Sequence, residues 1–117
     1  MRFKINSMMW IIKEVPQEEI KKIQNKRKNN EEENVKSVDS RYFGITYLDD
    51  LIIFIDKDLP IDRKRKTLIH ELTHCYINCY ITHQEKNYDE EMVADIVSNS
   101  YDIIHNVVNK YFKEKEC

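Results

Sequence analysis

The sequence predicts an α+β fold in which a small antiparallel β-sheet packs on two helices, and two patterns along the chain support this class. Runs of β-branched and aromatic residues over residues 3–15, 41–47 and 51–55 predict strands. Apolar residues at helical spacing then predict two long helices, over residues 62–80 and 88–112.

The first predicted strand alternates apolar and polar residues but shifts its parity near Ser7, which indicates a β-bulge within one continuous strand. Pro16 ends this strand. Residues 17–28 predict a short surface helix, because only two isoleucines anchor it among many charges. The polar, acidic stretch over residues 29–40 is predicted to be a loop.

The two later strands are separated by residues 48–50, a compact turn that predicts an antiparallel hairpin. Asp62 is expected to cap the helix that follows, and the apolar stripe of this helix includes Cys75 and Cys79. Two thiols one helical turn apart inside an apolar pattern are typical of reduced cysteines in the core of a cytosolic protein. The third cysteine, Cys117, is expected to be free and exposed.

Composition is typical of a globular protein and argues against several function classes. The chain is 41% hydrophobic and 34% charged with a net charge of −2, so it lacks the basic excess of a nucleic-acid-binding protein. The apolar stretch over residues 8–12 is too short for a signal-peptide core or a membrane span. Because 117 residues make about one small domain, residues 1–117 are expected to form a single cytoplasmic domain.

The chemistry of the chain is concentrated in residues 70–74, an HExxH motif within the first long helix. Residues four apart on a helix lie roughly 6 Å apart on one face, so the imidazoles of His70 and His74 can bind one Zn²⁺ ion. A catalytic zinc ion has three protein ligands and a water whose pKa falls to about 7. Glu71 is then placed to act as the general base without binding the metal.

The third ligand is predicted to come from the acidic residues near the start of the second long helix. Glu85, Asp89, Glu90 and Glu91 all follow the motif within reach. Glu91 is preferred because Asp95 shares its helix face, which allows one carboxylate to bind metal and the other to accept a hydrogen bond from a ligand imidazole. Asp89 and Glu90 remain open as alternatives.

The other two histidines are not expected to bind the metal. His105 lies 14 residues beyond Glu91, about 21 Å further along a helix, and is expected to be structural or exposed. His83 falls in the connection between the helices, where a solvated side chain is the usual outcome. No tyrosine is assigned as a hydrogen-bond donor to the transition state.

Two segments of the chain together are similar to the ImmA/IrrE-like metallopeptidases, in particular to the compact versions of phages and mobile elements. The first runs from the strand over residues 52–56 to the HExxH motif, and the second covers residues 91–95, Glu-Met-Val-Ala-Asp. The resemblance extends over about residues 43–104.

The resemblance implies a zinc centre with His70 and His74 as ligands, Glu71 as the catalytic acid, and Glu91 as the third ligand. Asp95 matches a position that often carries Asn or Asp behind the first histidine. The resemblance also implies that the strand over residues 51–55 forms the edge of a cleft, where an extended substrate pairs with it. Repressor-type regulatory proteins are the substrate class that it implies. Direct contact to nucleic acid is not expected, because the net charge is −2.

Two rival functions stay open at this point. The first is a non-catalytic module of the same lineage that keeps zinc for stability or for partner binding; structural zinc sites usually have a fourth protein ligand. The second is an SprT-like protease acting on DNA-bound proteins, for which a third histidine and a basic extension are expected. The retained Glu71 argues against the first rival, and the acidic Glu91 and net charge argue against the second.

Overall fold

The computed structural model describes residues 1–31, 43–81 and 88–115, and the side chains of 27–31 and 115 are not described. The strands within these ranges are β1 (Arg2–Ile5), β2 (Met8–Val15), β3 (Gly44–Tyr47) and β4 (Ile52–Asp56); the helices are α1 (Gln17–Glu31), α2 (Ile61–Tyr80) and α3 (Glu90–Lys115). The four strands form one sheet in the order β1-β2-β4-β3. The predicted α+β class is therefore confirmed.

The sheet is mixed, so the prediction of a purely antiparallel sheet is wrong for its central pair. β1 pairs with β2 and β3 pairs with β4 in antiparallel fashion, whereas β2 and β4 run parallel, with Ile12 opposite Ile53. Parallel neighbours need a long crossover connection, and the chain between β2 and β4 provides one that includes α1.

The predicted single strand over residues 3–15 is also wrong, because the chain turns back on itself between β1 and β2. Asn6 and Ser7 have φ angles of 50° and 65°, the left-handed conformation that a two-residue hairpin turn requires at both positions. Asparagine tolerates this conformation, but the usual glycine signal is missing, which explains why a bulge was predicted. The side chain of Asn6 donates a hydrogen bond to the carbonyl oxygen of Cys79, 3.0 Å away.

One face of the sheet carries the core. α2 packs on β1, β3 and β4, and α3 packs on α2. Apolar side chains from both sheet and helices form one buried cluster, whose best-covered members are Trp10, Ile53, Ile55, Leu68, Leu72, Cys75 and Val108. α1 contacts β3 and β4 and has its own buried anchor, Ile20, outside this cluster. α1 therefore lies on the face of β3 and β4 that α2 does not cover.

The helix boundaries agree with the predicted ones to within a few residues. α2 begins one residue before Asp62, with Pro60 as its N-cap and no side-chain cap, so the predicted capping role of Asp62 is wrong. Asp62 instead lies in the first turn, where a carboxylate stabilises the positive end of the helix dipole. α1 extends through residues 29–31 of the predicted loop; residues 32–40 of that loop lie outside the described part of the chain.

The carboxylate of Asp56, at the end of β4, is buried, and each of its two oxygens accepts a hydrogen bond. It accepts hydrogen bonds from the side-chain amide of Gln17 at 2.7 Å and from the backbone N–H of Asp58 at 2.9 Å. These bonds connect the start of α1 to the turn that precedes α2. None of the helices that the structure describes is long and apolar enough to cross a membrane.

Candidate metal centre

The two histidines of the motif lie side by side on the exposed face of α2. The ring centroids of His70 and His74 are 4.9 Å apart and the rings are nearly perpendicular, at 78°. The side chain of His70 is 68% exposed. Within the described part of the chain, no hydrogen bond engages the ring of His74, and the only polar contact of the His70 ring is a distant one with Glu71. Both imidazoles are therefore free to bind a cation.

The side chain of Glu71, between the histidines in sequence, extends toward β3. The residue is only 6% exposed, and the hydroxyl of Thr46 donates a hydrogen bond to its Oε1 atom at 2.7 Å. Its second oxygen, Oε2, lies 3.9 Å from Nε2 of His70. One carboxylate oxygen is thus fixed by the sheet, while the other faces the histidine.

Gly44, the only glycine of the chain, makes this arrangement possible. A Cβ atom at this position would lie 2.9 Å from Cγ2 of Thr67 and 3.3 Å from Cγ of Glu71. It would also lie 3.1 Å from the carbonyl oxygen of Phe54 on the neighbouring strand. A residue without a side chain at the start of β3 therefore lets α2 approach the sheet closely enough for Glu71 to reach Thr46.

β3, not β4, is the strand at the edge of the sheet beside the motif. β4 pairs with β2 on one side and with β3 on the other, so the predicted role of residues 51–55 as the cleft edge is wrong. No described strand pairs with the outer edge of β3. An extended segment that pairs with the sheet at this site has only β3 available.

An open groove crosses the histidine pair next to β3. It consists of two cavities of about 320 and 280 Å³ that share Gly44, His70 and Glu71 as lining residues. The first cavity extends toward the start of α2, and the second extends toward His74 and the end of β3. The size and position of the groove suit a peptide segment that passes over Glu71.

Among the described residues, none lies beside the two histidines as a third ligand. The described residues contain no group of three or more His, Cys, Asp or Glu side chains placed to hold one metal ion. Glu91 is exposed in the first turn of α3, and Asp95 lines a separate cavity with Tyr76 and Tyr80. Their assignment, Glu91 as ligand and Asp95 as the hydrogen-bond partner of an imidazole, stays a prediction.

One alternative third ligand, Asp89, is engaged in a hydrogen bond of its own. The carboxylate of Asp89 accepts a hydrogen bond from the backbone N–H of Met92 at 2.8 Å, so it acts as the N-cap of α3. Glu90 is exposed in the first turn, like Glu91. Glu85 and His83 lie outside the described residues.

The two cysteines of α2 belong to the core and not to the centre. Cys75 and Cys79 are both free and buried, as predicted. Burial raises the pKa of the Cys75 thiol far above its ordinary value, with a further contribution from the neighbouring Cys79. Burial raises the pKa of Cys79 as well. Neither thiol is exposed beside the histidines as a fourth ligand. Cys117 is outside the described residues.

The donors that are present fit a zinc ion. Zinc accepts imidazole nitrogen and carboxylate oxygen ligands, and two accessible imidazoles one helical turn apart provide the first two. The carboxylate of Glu71, held by Thr46, lies beside His70. Thr46 and Gly44, which position this carboxylate, had no signal in the sequence beyond their place in a predicted strand.

No protein-family model, no curated protein and no solved structure matches the chain.

Proposed function

We propose that the chain is a zinc-dependent metallopeptidase in which His70 and His74 bind the metal and Glu71 is the general base. The observation that carries the proposal is the placement of Glu71. Its carboxylate is buried, is held by Thr46, and lies beside two accessible imidazoles at the floor of an open groove. Burial of a carboxylate costs free energy, and groups kept in such positions next to a cleft are candidates for catalysis.

The two oxygens of Glu71 have separate roles in this proposal. Oε1 accepts the hydrogen bond from Thr46 and fixes the carboxylate plane. Oε2 is the free oxygen on the side of His70, and it takes the proton of the attacking water and passes it to the leaving amine. Zinc, when bound, polarises the scissile carbonyl and lowers the pKa of water. Thr46 is a positioning residue.

The groove beside β3 is the proposed binding site for the peptide. The outer edge of β3 offers backbone donors and acceptors to an extended segment, and the two cavities accommodate side chains on either side of Glu71. Repressor-type regulatory proteins, the class implied by the resemblance to ImmA/IrrE-like metallopeptidases, are the proposed substrates.

Glu91 is the proposed third ligand, with Asp95 as its supporting carboxylate. It lies in the first turn of α3, the helix that packs on the same helix as the two histidines. Glu91 is exposed, whereas an oxygen of Asp89 is already used to cap the helix, which supports Glu91 over Asp89 as the ligand.

The first test is metal content, measured by mass spectrometry on protein purified without chelator. Wild type and Glu71→Gln are expected to carry about one zinc per chain, and His70→Ala and Glu91→Ala are expected to lose it. Glu90→Ala is the matched control for Glu91→Ala, because it removes the neighbouring exposed acid from the same helical turn. Wild-type protein that takes up no zinc even when zinc is supplied would overturn the proposal.

The second test separates the enzyme from the non-catalytic rival. Zinc-loaded wild type and Glu71→Gln are incubated with a peptide library, and new termini are identified by mass spectrometry. Cleavage by wild type that Glu71→Gln reduces by at least about a hundredfold supports general-base catalysis. Zinc binding without cleavage that depends on Glu71 would favour the rival, in which zinc has a structural or partner-binding role.

A further inference from the structure

We propose that the cavity lined by Phe43, Arg63 and Lys66 is a subsite for a carboxylate of the substrate, so that the enzyme prefers acidic peptide segments. This inference rests on the proposed peptidase function, because the cavity opens onto the same groove. Its lining residues include Arg63, Lys66, His70 and Glu71. With a volume of about 320 Å³ it is roughly ten times the space of one water molecule, enough for an acidic side chain.

Arg63 and Lys66 give this cavity a positive charge that no ion pair among the described residues balances. No ion pair involves Arg63 or Lys66 within the described part of the chain. Among the described residues, Glu71 is the only acid that lines the cavity, and Thr46 holds its carboxylate. Two cations one helical turn apart beside an open cavity attract a carboxylate ligand and repel a basic one.

Arg63 is oriented for this role. Its guanidinium lies over the ring of Phe43, 4.9 Å from the ring centroid. Stacking on an aromatic face restricts the long side chain and leaves the N–H groups at the edge of the guanidinium free to bind both oxygens of a carboxylate. Phe43 directly precedes β3, so this cation lies at the end of the groove where Gly44 begins the edge strand.

Arg65 provides a matched control two residues away. Its guanidinium lies over the ring of Phe112, 4.5 Å from the centroid, on the core side of α3. It has the same charge and the same kind of aromatic contact, but it does not line the cavity. Replacement of either arginine by glutamine changes the net charge equally, so only a local effect distinguishes them.

The experiment measures binding, not hydrolysis. Glu71→Gln is introduced into every protein to prevent cleavage, and fluorescence anisotropy follows labelled peptides with amidated C-termini. One peptide has a central Asp-Glu pair and the other has Asn-Gln. The acidic peptide is expected to bind roughly fivefold more tightly. Arg63→Gln is expected to abolish this preference, Lys66→Gln to reduce it, and Arg65→Gln to leave it unchanged. A third peptide, neutral with a free C-terminal carboxylate, distinguishes a chain end from a side chain as the source of the bound group.

Equal binding of acidic and neutral peptides, or an equal loss in Arg63→Gln and Arg65→Gln, would overturn the inference, as would no binding of the acidic peptide at millimolar concentration. Circular dichroism verifies that all variants are folded. The peptidase proposal is judged separately by zinc content and by cleavage in the Glu71 background. Charge-selective binding without any cleavage would therefore overturn only the peptidase proposal. Cleavage without charge selectivity would overturn only the proposed carboxylate subsite.

Discussion

Helices α2 and α3 both carry residues of the proposed centre, but they are held in different ways. α2 packs on three strands, and its Glu71 is tied to the sheet by Thr46. α3 is covered mainly over its second half, where Ile104 is 3% and Val108 1% exposed, and its first half buries only Ile96 and Ser100. In its first half Val93, Val97 and Tyr101 are 46%, 61% and 57% exposed.

The difference separates the residues whose positions the core fixes from those it does not. His70, Glu71 and His74 are on a helix that is held by packing along its length. Glu91 is on a helical segment that buries little apolar surface, so packing contributes little to its position. The metal itself is then expected to supply part of the free energy that places this ligand.

The largest effect is expected from a pair of substitutions in the two halves of α3. Ile104→Ala removes a buried side chain from the core and is expected to lower the free energy of unfolding by about 2 to 5 kcal/mol. Val97→Ala removes an exposed one and is expected to change it by less than about 0.5 kcal/mol. Urea unfolding measures both. A similar loss for the two variants would mean that the first half of α3 is packed after all.

The next effect concerns zinc. If Glu91 binds the metal, zinc at about one hundred times its dissociation constant is expected to stabilise the first half of α3 by about 2.7 kcal/mol. Hydrogen exchange of the amides of residues 94–99 measures this, and a slowing of about a hundredfold is expected. Glu91→Ala is expected to abolish the slowing, and Glu90→Ala to preserve it. Slowing that survives in Glu91→Ala would assign the third ligand elsewhere.

The bounds of α2 and its histidine pair could be predicted from the sequence because the patterns that predict them are local. A helical apolar stripe and histidines four apart require no knowledge of other segments, and α2 was predicted to within one residue. The hydrogen bond between Thr46 and Glu71 joins residues 25 apart in the chain, and no local pattern contains it. The parallel pairing of β2 with β4 was missed for the same reason, since it depends on the path of a crossover.

A smaller effect on the free energy of unfolding is expected from a substitution where α2 contacts the sheet. Gly44→Ala places a methyl group 2.9 Å from Cγ2 of Thr67 and is expected to destabilise the fold by about 1 to 3 kcal/mol. Thr67→Ser removes that methyl group, so the double variant Gly44→Ala, Thr67→Ser is expected to recover part of the loss. Urea unfolding of both variants and of Thr67→Ser alone measures the coupling. Strict additivity of the two substitutions would contradict the crowding explanation.

The smallest effect at neutral pH is expected at the far end of α3. The hydroxyl of Tyr111 donates a hydrogen bond to Glu14, which also binds Lys64 at 2.7 Å. Burial raises the pKa of Tyr111 from its ordinary value of 10.0 to about 12, so the folded state favours the neutral phenol. The resulting stabilisation is complete below about pH 10 and is lost as the pH rises toward 12.

Tyr111→Phe is expected to lose about 1 kcal/mol of stability at pH 7 and to be less sensitive to alkaline pH than wild type. Urea unfolding at pH 7 and at several values between 9 and 12 measures the difference. Tyr101→Phe, at an exposed position of the same helix, is the control and is expected to follow wild type over the whole range. A wild-type advantage over Tyr111→Phe that persists undiminished at pH 12 would contradict the assigned cause.

The two edges of the sheet differ in a way that bears on self-association. β1 carries Arg2 and Lys4 as exposed charges at one edge, and charges of this kind hinder pairing with the strand of another molecule. β3, with the sequence Gly-Ile-Thr-Tyr, carries no charge at the other edge. Among the described strands, β3 is therefore the edge through which concentrated protein without a bound peptide is expected to associate, and a peptide in the groove is expected to keep the protein monomeric.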